Sequence, residues 1–384
     1  MTVDVSIPLS RPYLTGKELG CIEQAILSLS FGGDGSFSKK CAELLESLTG
    51  SPVFLTPSGT HAIELALMAL GLDRDDEVIL PSYAFSSCAT AVVQMGLKPV
   101  FIDVREDTFN IDESLIEGAL TPKTKAVLAV HYAGVAAEMD PLLAVARKHG
   151  LEVIEDAAQA VHSFYKGRHL GSLGDLGIFS FHHTKNVTSG KGGAIVVNSK
   201  KYLRAIEIHR QKGTDRSRFL RGEVNKYRWI DRGSSYLISD ILAAFLFPQL
   251  EVLEEITTKR KAVAEAYLER LSDLSPKHFR LPVFPSHCRP NYHAFPLLLN
   301  QRSDLEGLKG FLQERGIEAT GHFAPLHNSP GGKKFGVARG PVRVAEKAGE
   351  CLLRLPLYPQ MTREEQDYVI DSVNDFFKKE AASR

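Results

Sequence analysis

Along the first two thirds of the chain, short apolar runs alternate with stretches whose apolar positions recur at helical spacing. The runs at residues 53–55, 77–80, 99–102, 125–130, 152–154, 177–181 and 194–197 are nearly continuous in hydrophobicity. A strand with one wet face would show a polar residue at every second place, so these runs read as strands covered on both faces. Between several of them lie helix-like stretches, such as 61–70 and 141–149. Strand and helix taking turns in this way predict an α/β fold around a mostly parallel central sheet.

After Asp240 the texture changes. Residues 241–250 and the charged stretch 251–271 read as long helix, a connector leaving the large domain. From about Ser272 a strand (293–299) and two amphipathic helices (305–315 and 363–377) predict a small α/β domain. A chain of 384 residues is too long for one small core. The expected division is a large domain over 1–250, then a connector helix and smaller C-terminal domain over 251–384.

Charge and cysteines narrow the class. Lys+Arg and Asp+Glu each number 46, so no global charge draws the chain to nucleic acid or to anionic lipid. No apolar run reaches the length of a membrane span, and Met1-Thr2-Val3-Asp4 lacks the basic start of a signal peptide. Cys21, Cys41, Cys88, Cys288 and Cys351 are scattered and contain no C-x-x-C pair. That spacing argues against a zinc site or a disulfide framework and for a reducing cytoplasm.

The candidate chemistry sits in two segments. Val153-Ile154-Glu155-Asp156 places a carboxylate at the carboxyl end of a predicted strand, where open α/β sheets bind ligands. Lys185, in Ser180-Phe181-His182-His183-Thr184-Lys185-Asn186, follows the next strand and precedes the glycine-rich run Thr188-Ser189-Gly190-Lys191-Gly192-Gly193. Most lysines are solvated surface charges, but aromatic and glycine-rich flanks predict a desolvated, nucleophilic amine. A lysine amine, an acid on a rigid strand and a serine before the lysine suit pyridoxal 5′-phosphate. The lysine forms a Schiff base with the aldehyde, the acid keeps the pyridine nitrogen protonated and Ser180 bonds the phosphate.

Other residues fit that picture, each with a plainer alternative. Asp156 alone would serve equally as the cap of a helix over Ala157–Ala160. Gln159 is placed to bond a ring hydroxyl from the same turn. Pro57-Ser58-Gly59-Thr60, before a helical run, offers free N–H groups and the positive end of a helix to a phosphate, or is an ordinary N-cap. Phe85 follows a strand and would stack on a flat ring, or is simply core. His182 and His183 have no carboxylate or cysteine at ligand spacing, so no metal site is expected.

Taken together, these segments resemble the DegT/StrS family of nucleotide-sugar aminotransferases, of fold type I. The likeness runs from Ile7-Pro8-Leu9-Ser10 almost to the C-terminus and includes Pro325-Leu326-His327. It implies Lys185 as the catalytic Schiff-base lysine, with Asp156 and Gln159 holding the ring. Gly59, Thr60 and Ser180 would hold the phosphate, and Phe85 would stack on the cofactor. It also implies a homodimer with shared active sites, in which Ser235 of one subunit approaches the cofactor of the other. His322 and His327 lie in a segment resembling the family's sugar-side loop, although structural histidines would look the same. The segments 130–140, 212–217 and 231–236 are similar to members that aminate dTDP-4-keto-6-deoxyglucose with L-glutamate. Three positions depart from the usual pattern: Ser235 replaces Asn, Leu237 replaces Arg, and Lys191 replaces Glu. The rivals are a GDP-sugar 4-aminotransferase, a 3-aminotransferase, a dehydratase and a non-catalytic cofactor-binding regulator. Dehydratases of the family put His at the lysine position, which Lys185 argues against. Retention of the Asp156–Gln159–Lys185 set disfavours the regulator.

Overall fold

The computed structural model describes residues 6–383. All seven expected strands of the large domain are present: β1 (Val53–Thr56), β2 (Glu77–Pro81), β3 (Lys98–Ile102), β4 (Thr124–Val130), β5 (Glu152–Asp156), β6 (Leu176–Ser180) and β7 (Gly193–Val197). They lie in the order β1-β7-β6-β5-β4-β2-β3, and an unanticipated two-residue strand, Val337–Ala338, extends the β3 edge. Every pairing is parallel except those of β7 with its two neighbours.

Both faces of this sheet are covered, which explains the unbroken hydrophobic runs. In β4, Val127 and Ala129 enter one core while Ala126, Leu128 and Val130 enter the other. The first core takes side chains from α1 (Glu18–Leu27), α2 (Ser36–Thr49), α5 (Met139–His149) and α8 (Asp240–Leu250). The second takes them from α3 (Gly59–Leu70), α4 (Ser86–Gln94) and α6 (Leu203–Arg210). The short α7 (Arg216–Leu220) belongs to neither.

The stretch read as long helix is broken. After α8 a new helix, α9 (Leu253–Arg270), begins, and its Val263, Ala264 and Tyr267 pack into a separate core. That core is built on an antiparallel sheet of Phe279–Arg280, Phe295–Leu299 and Leu352–Leu355. Helices Arg302–Glu314 and Arg363–Ser383 cover it, and Ile7 from the other end of the chain packs into it. The segment Ala157–Ala160 is a turn rather than a helix, so Asp156 caps no helix there.

Glu155, beside Asp156 at the end of β5, is a fully buried carboxylate. It accepts the N–H groups of Gly171, Leu173 and Gly174 at 3.0, 2.6 and 2.7 Å and pairs with the His131 ring at 3.0 Å. Burial pushes its carboxyl pKa up, but the His131 ring and the loop N–H groups outweigh this and hold it below the usual range. A depressed folded pKa contributes stability above the unfolded value of about 4.3, lost as pH falls through the folded value. Glu155→Ala would strand the buried N–H groups of Gly171 and Gly174 and the partly buried one of Leu173. The expected cost is about 3–5 kcal/mol, read as a lowered unfolding midpoint in urea. A midpoint unchanged from the parent would contradict this account of the loop.

Candidate active site

Ligand chemistry collects where β4, β5 and β6 end and β7 begins. A cavity of about 740 Å³ is lined there by Ser58, Gly59, Thr60, Phe85, Val130, Asp156, Gln159, Ser180 and Lys185. Seven of the eight expected cofactor and catalytic positions and substrate candidate His322 thus come around one space, joined by His182, Lys191, His293, Phe323 and Arg354.

One end of the cavity is built for an anion. Ser58 caps α3, its hydroxyl accepting the His61 N–H at 3.1 Å. The N–H groups of Gly59 and Thr60 open the helix, where no preceding turn supplies a carbonyl. N-cap and anion site are therefore complementary readings of one motif. Packing is close: a Cβ on Gly59 would sit 3.0 Å from the Ser180 Cβ, and one on Gly193 only 2.5 Å from the Gly59 nitrogen. Glycine at 193 lets β7 pass this near the helix start. Thr60 and Ser87 share a hydrogen bond of 2.7 Å between their hydroxyls.

Asp156 sits deeper, with 6% of its surface exposed. One carboxylate oxygen accepts the Ala158 N–H at 3.0 Å, and the other accepts the Cys88 thiol at 3.0 Å. Burial, then the carboxylate itself, pushes the Cys88 thiol well above its ordinary pKa, so it remains a donor. Gln159 is fixed by accepting the Ala133 N–H at 2.7 Å, which leaves its amide N–H groups as its free donors. The adjoining Gly134 has φ 84°, and a Cβ there would lie 1.9 Å from the Asn291 Oδ1, so only glycine fits.

Lys185 rides on the β6–β7 loop, which is held from beneath. Gln249 of α8 bonds both the N–H and the carbonyl of Thr188, at 2.9 and 2.8 Å. Asn186 donates to the Asn291 carbonyl at 2.9 Å and lies 3.0 Å from the His293 Nδ1. Burial pushes the Lys185 amine down to about 8, with Asp156 resisting and Arg354 assisting. About a tenth of the amine is therefore neutral and nucleophilic at pH 7, far more than an ordinary lysine offers.

The remaining positions divide. Phe85 is 59% exposed, its ring 6.1 Å from that of Phe323. His322 stacks on Phe323 at 3.7 Å and its Nδ1 lies 2.7 Å from the Tyr132 hydroxyl. Burial holds its ring, like that of His293, well below the usual histidine pKa, so both are neutral. His327 does not reach the cavity: its Nδ1 lies 2.6 Å from the Ser82 hydroxyl and its Nε2 3.3 Å from Glu346. The plainer reading, a structural histidine, describes it. Ser235 is exposed and stands outside this chain's cavity, bridged to Gln211. Sequence reasoning missed Cys88, Asn186, Asn291, His293 and Arg354. Only Arg354, a charge inside the apolar run Leu352-Leu353-Arg354-Leu355, carried a readable signal.

A model of the DegT/DnrJ/EryC1/StrS aminotransferase family matches residues 18–374, and the chain belongs to that family. It is 36% identical over 376 residues to the uncharacterized protein MJ1066 of Methanocaldococcus jannaschii, covering 96% of each chain. Among solved structures, DesV of S. venezuelae, in complex with a ketimine intermediate, is 30% identical with a TM-score of 0.88, over 96% of this chain and 98% of that one. The aminotransferase TlmJ from Streptoalloteichus hindustanus is 28% identical with a TM-score of 0.88, over 98% of this chain and all of that one. The protein is an aminotransferase of the fold type I architecture, and its cofactor is pyridoxal phosphate. The donor set fits that group: a helix N-terminus for a phosphate, a buried carboxylate for a ring nitrogen and a partly neutral lysine amine.

Proposed function

We propose that this aminotransferase moves the amino group of L-glutamate to C4 of dTDP-4-keto-6-deoxy-D-glucose, giving dTDP-4-amino-4,6-dideoxy-D-galactose. The observation that carries the transamination is the convergence of Asp156 and a Lys185 amine lowered to about 8 on one cavity. When bound, pyridoxal phosphate supplies an electrophilic carbon and an electron sink. The Gly59 and Thr60 N–H groups and Ser180 hold its phosphate. Asp156 keeps a proton on the ring nitrogen, because opposite charges in a poorly solvated site stabilise each other. Gln159 would donate to the ring oxygen, and Phe85 would cover the ring face. Lys185 would anchor the cofactor covalently at rest and, with its amine free, would accept the proton of the donor's Cα and act as the general acid/base of both half-reactions.

The sugar-nucleotide reading rests on the family likeness in segments 130–140, 212–217 and 231–236. It gains support from the place of the first of these: Ala133 binds Gln159, and Tyr132 binds the cavity-lining His322. A homodimer belongs to the same reading. Leu220, Trp229 and Ile230, in the segment leading to Ser235, are large apolar side chains left 63, 81 and 45% exposed, and a second copy covering them would bring its Ser235 to this cavity. Such an enzyme would work in the cytoplasm, where nucleotide sugars are made.

Incubation with glutamate and a panel of keto-sugar nucleotides, with products identified by NMR, decides the substrate. The expected product carries axial nitrogen at C4 of the dTDP sugar. Preference for a GDP sugar, or nitrogen at C3, would refute this substrate while leaving the aminotransferase standing.

A further inference from the structure

Lys191 sits on a turn that the β6–β7 loop holds firmly. The Phe181 N–H donates to the Gly192 carbonyl at 2.8 Å, the His183 N–H to the Gly190 carbonyl at 3.1 Å, and the Ser189 N–H to the Phe181 carbonyl at 3.0 Å. From this turn the lysine side chain lines the cavity while staying exposed to solvent, so it stands at the mouth. It makes no hydrogen bond or ion pair among the described residues. Two departures from the family's usual pattern meet here. A Cβ on Gly192, next to Lys191, would lie 2.9 Å from the Cδ1 of Ile238, next to Leu237. Lysine for Glu and leucine for Arg thus take one carboxylate and one guanidinium from the same place and leave an unpaired ammonium.

An unpaired ammonium at a cavity mouth favours an anion there. Among the described residues that line the cavity, Asp156 is the one carboxylate, and it is buried. The cofactor phosphate has its donors at the start of α3. The charge of Arg354 acts on Lys185, His293 and His322, so that guanidinium stands at the reacting end. The charge of Lys191 acts on His182, whose Nδ1 lies 3.0 Å from the Thr184 hydroxyl and whose Nε2 makes no hydrogen bond among the described residues. A hexose whose C4 meets the reacting end carries its diphosphate on C1, across the full width of the ring and therefore toward the mouth. A lysine ammonium on its flexible stem is a mobile point charge, suited to a diphosphate whose oxygens share no single plane.

We propose that Lys191 binds the diphosphate of the sugar-nucleotide substrate at the cavity mouth, with His182 beside it as a hydrogen-bond partner, and so sets this chain's affinity for that substrate. The inference rests on the sugar-nucleotide reading above, through the diphosphate alone and through neither the base nor the carbon aminated. The test is calorimetric titration of the holoenzyme with dTDP, and with thymidine as the phosphate-free control. Lys191→Gln should weaken dTDP binding about fivefold and Lys191→Glu about 20-fold or more, with thymidine binding within about twofold of the parent in both. Added salt should weaken dTDP binding to the parent more than to Lys191→Gln. In the steady state the loss should fall on KM for the sugar nucleotide rather than on kcat or on the half-reaction with glutamate. If the parent prefers GDP, the same losses are expected with GDP as the probe. Unchanged nucleoside-diphosphate affinity in Lys191→Glu, an equal loss for thymidine, or an equal loss in the apoprotein's affinity for pyridoxal phosphate overturns the proposal. A parent that transaminates but binds neither dTDP nor GDP overturns instead the sugar-nucleotide reading on which it rests.

Discussion

Lys185→Ala should abolish transamination, with a loss on the order of 10⁴-fold or more, because one amine serves as anchor and as proton carrier. Lys191 also lines the cavity but cannot stand in, since it lies on the far side of the glycine turn and is exposed to solvent. The fold should survive the change. The loop around residue 185 is held by Gln249, Asn186 and Thr188, none of which touches the amine. Steady-state turnover with glutamate, alongside circular dichroism to confirm folding, reads this directly. Near-normal turnover in the folded variant would sink the assignment.

Asp156→Asn should cost well above tenfold in turnover, more than about 1.4 kcal/mol of transition-state stabilisation. The substitution keeps the shape, and an amide oxygen can still accept the Ala158 N–H. What disappears is the negative charge. A neutral amide cannot hold the pyridinium proton, and its NH₂ would face either the ring nitrogen or the Cys88 thiol, both of which need an acceptor or a charge there. The loss should therefore appear in turnover more than in the unfolding midpoint. Unchanged turnover would reduce Asp156 to a residue that organises the turn after β5.

The large-domain sheet was legible because strands buried on both faces leave continuous apolar runs. Each of the seven appeared within a residue or two of its expected place. Val337–Ala338 was not legible, since a two-residue edge strand has no pattern of its own and exists only through its pairing with Val100 and Phe101. The break between α8 and α9 was hidden for a similar reason: helical periodicity continues across it, and Leu253 and Ile256 of α9 still pack into the core of α8 before Val263, Ala264 and Tyr267 enter the other. In the site, Asp156, Gln159, Ser180 and Lys185 could be read because they stand close together on two successive strand–loop units. Arg354 comes from a strand and His293 from the segment just before another, both distant in sequence, and only the docking of the small sheet over the large one brings them to the lysine. His327 shows the opposite failure. A histidine in a site-like loop was kept from the cavity by Ser82 and Glu346, partners that sequence spacing does not reveal.

Borohydride reduction of the holoenzyme followed by peptide mapping is the most direct test of the central claim. If Lys185 is the amine that carries the cofactor, the pyridoxyl group will be found on the peptide containing Ser180-Phe181-His182-His183-Thr184-Lys185, and the label will vanish in Lys185→Ala. Stable label on Lys191 or on any lysine outside the β6–β7 loop would contradict it.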